Sequence, residues 1–150
     1  EDEKTFITDR ILEEVRGRML EDIVLLETMK ALGRNYDVFK YQFATGEYDM
    51  LIYGRNERGC AAYEIKHSDK CVREQSRHLR NENMLSLTTP RFGTLDGRYV
   101  LYLGENKDTE DGIAYRNAEQ FLKALPEISL TSGLEETESE DETEGMQPTM

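Results

Sequence analysis

The chain has 150 residues, of which 37% are hydrophobic and 33% charged, and its formal net charge is −12. This length suffices for one globular domain, and no apolar run approaches the roughly 20 residues of a membrane-spanning helix. We therefore expect a cytoplasmic protein with no membrane association, and its acidic balance is the opposite of that typical of dedicated nucleic-acid binders.

The negative charge is concentrated at the end of the sequence. Residues 131–150 contain seven acidic residues and no lysine or arginine, and removing these seven charges from −12 leaves −5 for residues 1–130. Such a segment cannot bury an apolar core. We therefore expect a helical lead-in at 1–16, a folded domain at 17–130 and a disordered acidic tail at 131–150.

The beginning of the chain has helical periodicity. Residues 18–32 place six large apolar side chains at helical spacing, and Gly33 is a typical stop signal. Residues 6–15 show a similar pattern. The intervening Gly17 predicts a division between two helices.

Strand-like segments follow. Alternating apolar residues predict strands at 37–43, 48–53 and 60–66, joined by glycine-containing turns. Farther along, the sequence predicts a helix at 70–82, strands at 98–104 and 113–117, and a helix at 118–125. This order indicates an α/β fold with a mixed central β-sheet flanked by helices.

Three charged residues lie at the edges of these predicted strands. Glu64 and Lys66 are two positions apart, so they share one face of their strand. If strand 48–53 pairs with strand 60–66, Asp49 can lie beside Glu64. Two carboxylates suit Mg²⁺ or Mn²⁺, and a neighbouring lysine can hold a phosphate oxygen or polarise an attacking water.

An aspartate followed by Glu-x-Lys on consecutive strands resembles the PD-(D/E)xK nuclease superfamily. The wider pattern is similar to a domain of unknown function that follows the ATPase module in bacterial and archaeal AAA-type ATPases. The matching pieces are Gly17…Glu21, Glu47-Tyr48-Asp49, Glu64-Ile65-Lys66, "LYLG" at 101–104 and Asn117…Phe121-Leu122. The resemblance covers about residues 15–126.

The resemblance implies a restriction-endonuclease-like core with α-β-β-β-α-β order and Mg²⁺- or Mn²⁺-dependent hydrolysis of DNA phosphodiesters. It implies Asp49, Glu64, Glu21 and the Ile65 carbonyl as metal ligands, and Lys66 as the active-site lysine. A weaker correspondence assigns Gln75 to the active site. An ATPase module is the expected partner, although this sequence contains no GxxxxGK[ST] motif for ATP.

Each of these assignments has an alternative. Asp49, Glu64 and Lys66 can instead form exposed charge pairs at strand ends. Arg73, Arg77 and Arg80 share one face of the predicted helix, where they can track a phosphate backbone or form a solvated face paired with acids. We expect His78 on that helix's surface. The alternative function is a catalytically inactive module that docks on an ATPase or another partner.

Overall fold

A six-stranded β-sheet forms the centre of the computed structural model, which describes residues 2–71 and 73–126 and the side chains from residue 7 onward. Its strands are β1 (Tyr36–Phe43), β2 (Gly46–Gly54), β3 (Gly59–Ile65), β4 (Thr94–Tyr102), β5 (Lys107–Asp108) and β6 (Ile113–Asn117). Their order in the sheet is β1-β2-β3-β4-β6-β5. The β3–β4 and β4–β6 pairs are parallel and the other pairs antiparallel. The mixed sheet predicted from the sequence is confirmed.

All five predicted strands are present in this sheet. Four of them lie within two residues of the predicted bounds, but β4 begins four residues earlier, at Thr94. Its first residues include Asp96 and Gly97, which are disfavoured in strands and hid this beginning in the sequence. The two-residue strand β5 is too short to show an alternating pattern.

The first helix, α1 (Asp2–Leu32), is continuous. The predicted division at Gly17 is therefore wrong, because a single glycine costs a helix only about 1 kcal/mol relative to alanine. One side of α1 packs on the sheet through Leu20, Val24 and Leu32. The helix ends as predicted at Gly33, whose N–H donates to the Met29 carbonyl at 2.8 Å.

Strand β2 contains a β-bulge. Phe39 pairs with Leu51 and Tyr41 with Tyr48, so Asp49 and Met50 together lie opposite Lys40. A bulge of this kind interrupts the alternation of side chains between the two faces of a sheet. It places Asp49 and Met50 toward the same helix: Met50 packs in one core with Val24 of α1, and Asp49 lies next to an α1 carboxylate.

The segment between β3 and β4 differs from its prediction. Residues 70–82 are not one helix but contain two short 3₁₀ turns, Arg73–Ser76 and His78–Arg80. Leu79 is the only apolar side chain described as buried between residues 73 and 82, too little for a helical apolar stripe. The Ser76 hydroxyl also donates to the Arg73 carbonyl, which favours a tight turn.

A helix that the sequence analysis missed, α2 (Glu82–Phe92), follows these turns. Asn81 caps its first turn: the side-chain oxygen accepts a hydrogen bond from the Met84 N–H at 3.1 Å. The signal for this helix was the pair Asn81 and Glu82 before an apolar residue. Pro90 obscured it, because proline is normally excluded from helix interiors.

We expect Asn81→Ala to lower the free energy of unfolding by about 1 kcal/mol, because the Met84 N–H loses its acceptor. Urea unfolding at neutral pH measures this change. Asn83→Ala, an exposed substitution inside the same helix, is the control and should change stability much less. Equal effects of the two substitutions would contradict the capping role of Asn81.

Helices cover both faces of the sheet. On one face, Leu79 and Met84 pack against Tyr48, Leu51 and Ala62. The other face carries Met50, Tyr63 and Ile65, which pack against α1 and a helix, α3, that begins at 118 as predicted and continues to 126, where the described residues end. The predicted tail at 131–150 lies outside the described residues. Within the described part, none of the helices has the combination of length and apolar character needed to cross a membrane.

Candidate metal centre and active site

Asp49 lies at the point where β2 and β3 separate. The β2–β3 ladder ends at the pair Met50 and Tyr63. Beyond this pair, the Asp49 side chain and not the β2 main chain bonds to β3: Oδ2 of Asp49 accepts a hydrogen bond from the Ile65 N–H at 2.8 Å. Asp49 is buried, and this bond fixes the orientation of its carboxylate.

Asp49 belongs to a group of three carboxylates. Oxygen atoms of Glu21 on α1, Glu47 on β2 and Asp49 lie within 4.8 Å of one another, close enough to hold one metal ion. The Lys40 ammonium lies 3.9 Å from Oε1 of both Glu21 and Glu47. The site therefore combines three acids with one resident cation, and its net charge with all groups ionised is −2.

Glu21 shows the effect of this crowding. Its partial burial, followed by the neighbouring Asp49, raises the pKa of its carboxyl to about 7, while the Lys40 ammonium opposes the rise. Near neutral pH this carboxyl can therefore accept or donate a proton. A cation bound here would displace the proton.

Glu64 lies on the other face of the sheet. Its neighbours Tyr63 and Ile65 pack toward α1, so Glu64 points away from α1. The structure does not bring it into the group of three carboxylates. Its Oε2 lies 3.2 Å from the Lys66 ammonium, which agrees with the expectation that these two side chains share a face.

The Glu64 carboxylate is also incompletely hydrogen-bonded. Nδ1 of His78 lies 2.9 Å from its Oε1, but the approach lacks hydrogen-bond geometry, so Oε1 has no hydrogen-bond partner within the described residues. Burial, followed by the Asp49 charge, raises the pKa of Glu64 to about 8, and the Lys66 and Arg77 cations offset part of this rise. Asp49 thus contributes to the raised pKa of Glu21 on one side of it and of Glu64 on the other.

Ile65 and Lys66 contribute main-chain contacts that hold the end of β3 in place. The Ile65 N–H donates to Asp49, and the Lys66 N–H donates to the Leu101 carbonyl at 2.8 Å. The role of the Ile65 carbonyl as a metal ligand stays a prediction. The Lys66 ammonium is partly exposed, so it is accessible to a ligand from solution.

Of the four other predicted site residues, three lie on the two 3₁₀ turns and Arg77 lies between the turns. Gln75 is half-buried and Arg73 exposed on the first turn. Because there is no continuous helix here, the shared helix face predicted for Arg73, Arg77 and Arg80 is wrong. Arg80 donates to the Asp111 carboxylate and the Arg73 carbonyl, which ties it to the protein. Arg77 is exposed, and its charge is near enough to lower the pKa of Glu64.

Three residues at the site were missed as site residues by the sequence analysis: Glu47, Lys40 and His78. Glu47 was noted only as part of a motif, although its two-residue spacing from Asp49 was a usable signal. His78 is half-buried beside Glu64 and not on a helix surface as expected. No sequence signal pairs Lys40 with Glu21, because their proximity depends on the packing of α1 on β1.

Comparisons with known proteins give no independent assignment. No protein-family model, no curated protein and no solved structure matches this chain. The resemblance to the PD-(D/E)xK nucleases therefore stays a prediction that rests on the motif residues.

Proposed function

We propose that this domain hydrolyses DNA phosphodiesters with a bound Mg²⁺ or Mn²⁺, on a restriction-endonuclease-like core, as an accessory module of an ATPase. The observation that carries the proposal is the position of Asp49 between two groups. Glu21 and Glu47 lie on one side of it, and Glu64 with Lys66 lies on the other. Glu21, Asp49 and Glu64 thus lie near one another, with Glu64 on the opposite face of the sheet from the other two.

The donor set fits a hard divalent cation. Three carboxylates, one of them held by a main-chain hydrogen bond, offer oxygen ligands with room for waters, as Mg²⁺ and Mn²⁺ prefer. The raised pKa of Glu21 is the expected property of a crowded acid site without its cation. When bound, the metal would lower the pKa of a water and neutralise charge on the phosphate.

The protein groups have separate tasks in this proposal. Glu21, Glu47 and Asp49 bind the cation. Lys66 contacts a phosphate oxygen and stabilises the negative charge that develops during attack by water. Arg77 is the exposed arginine near Glu64 and binds the DNA backbone, whereas the ion pair with Asp111 removes Arg80 from that task.

Calorimetric titration with Mn²⁺ tests the metal site. We expect wild-type protein to bind one ion and to gain about 2.7 kcal/mol of stability at a free Mn²⁺ concentration 100 times the dissociation constant. Asp49→Asn should abolish both the heat and the stabilisation. Asp37→Asn, the same change at an exposed position on β1, is the matched control and should retain both. Negligible heats for the wild-type protein would contradict the proposed metal site.

A catalytically inactive interaction module is the second candidate, and Lys40 favours it. The Lys40 ammonium already neutralises part of the acid group, at 3.9 Å from both Glu21 and Glu47, so the described fold does not require a metal there. In this case plasmid DNA incubated with the protein and Mn²⁺ should remain intact, as it does with EDTA. Metal-dependent nicking would exclude this candidate.

A further inference from the structure

Helix α1 has an apolar surface that faces away from the sheet. Its members are large aliphatic side chains with 39–56% of their surface exposed: Ile7, Ile11, Leu12, Val15, Met19, Ile23, Leu26 and Met29. We call this set the outer stripe. Among the large hydrophobic residues described as exposed, only Leu87 and Leu103 lie outside it. Such a concentration on one helix marks an interaction surface.

The outer stripe extends along most of α1. It extends over 23 residues, from Ile7 to Met29, or about 33 Å at the rise of an α-helix. At 100° per residue its members spread over an arc of about 160° centred opposite Val24, which faces the sheet, and this arc also includes the exposed Arg18, Asp22 and Lys30. Leu12 and Val15 recur 11 residues later as Ile23 and Leu26, a period that keeps an apolar stripe nearly straight along a helix. A second straight helix can therefore follow it over its whole length.

We propose that the outer stripe packs antiparallel against the outer stripe of a second copy of this chain. The spacing of the stripe is nearly the same in both directions. With the two-fold axis between positions 20 and 21, Leu12 lies beside Met29 of the second copy and Val15 beside Leu26 of the second copy. Met19 lies beside Ile23 of the second copy at the centre. These three layers contain only apolar side chains, whereas Ile11 lies beside Lys30 of the second copy.

The charged residues at the edges of the stripe select this orientation. Arg18 and Asp22 flank the central members of the stripe on the side that Met29 also occupies, and Arg16 and Glu27 flank them on the other side, all exposed. In an antiparallel two-fold pair, each side of the stripe faces the same side of the second copy. Arginine and acid therefore face each other on both sides, within two residues or about 3 Å along the helix axis. In a parallel pair, Arg16 would face Arg18 of the second copy. The internal contact of Arg16 with Glu13 is an exposed pair and does not prevent this.

The size of the stripe sets the expected affinity. A helix of 10–12 Å diameter in contact over about 33 Å offers on the order of 400 Å², less than the roughly 800 Å² per partner of a standard interface. The dimer should therefore be reversible, with a dissociation constant in the micromolar range. This proposal is independent of the metal site and of any DNA cleavage.

Sedimentation equilibrium between about 1 and 200 µM protein tests the dimer. We expect a concentration-dependent mass that changes from monomer to dimer. Ile23→Lys should raise the dissociation constant at least about tenfold, because it buries an unpaired cation at the centre of the contact. Leu87→Lys, at an equally exposed position on α2, is the matched control and should leave the constant unchanged. A wild-type monomer at all concentrations, or equal effects of both variants, would overturn the proposal.

A charge exchange tests the orientation. Glu27→Arg alone places two arginines opposite each other on one edge and should weaken the dimer. Adding Arg16→Glu restores opposite charges in the antiparallel pair only and should return the dissociation constant to near its wild-type value. The two residues are 11 positions apart on α1, so the restoration cannot arise within one helix. A double variant as weak as the single one would overturn the antiparallel arrangement.

Discussion

Replacing Lys66 by alanine is expected to reduce metal-dependent DNA cleavage by roughly two to three orders of magnitude while Mn²⁺ binding persists. The reason is the position of Lys66: its ammonium pairs with Glu64 and remains partly exposed, and it lies outside the group of three carboxylates. In the proposed reaction it would therefore act on the phosphate and not on the cation. Plasmid nicking and Mn²⁺ calorimetry on the same preparation measure the two properties.

The control for Lys66→Ala is Lys70→Ala, which removes the same charge at an exposed position. It should leave both cleavage and binding near wild type. Because Lys66 also lowers the pKa of Glu64, its removal lets Glu64 keep its proton to higher pH, so cleavage is followed to pH 9. Full cleavage by the Lys66→Ala variant at any of these pH values would show that Lys66 takes no part in the reaction.

Glu64→Gln is expected to make the protein more stable at alkaline pH. Burial raises the pKa of Glu64 in the folded state to about 8, from an ordinary value of 4.5. Below pH 4.5 the carboxyl is neutral in both states and costs nothing. Between pH 4.5 and 8 the unfolded chain releases the proton while the folded protein keeps it, so the free energy of unfolding falls as the pH rises. The difference in pKa corresponds to about 5 kcal/mol.

Glutamine keeps the shape of Glu64 and cannot ionise. Urea unfolding without metal at pH 5, 7 and 9 should show a growing advantage of the variant, reduced by the loss of the Lys66 ion pair. Glu21 titrates in an overlapping range in both proteins and cancels from the comparison. The control is Glu110→Gln, which changes an exposed carboxylate. Parallel curves for wild type and Glu64→Gln would contradict a raised pKa.

Local patterns were sufficient to predict five of the six strands. Strands β1, β2, β3 and β6 are short runs rich in apolar and aromatic residues, and each lies within two residues of its predicted bounds. The patterns failed between residues 70 and 92. There a single buried leucine in the 3₁₀ turns and Pro90 in α2 removed the periodicity on which helix prediction depends.

The sequence by itself determined which residues have the chemistry for a site: Asp49, Glu64 and Lys66, with Glu21 on the preceding helix. Tertiary structure decided which of them meet. The bulge at Asp49 and Met50 turns Asp49 toward α1, where it joins Glu21 and Glu47, while Glu64 follows regular alternation to the opposite face. The physical reason is that one extra residue in a strand reverses the face of every residue beyond it, and no apolar or turn pattern records that residue.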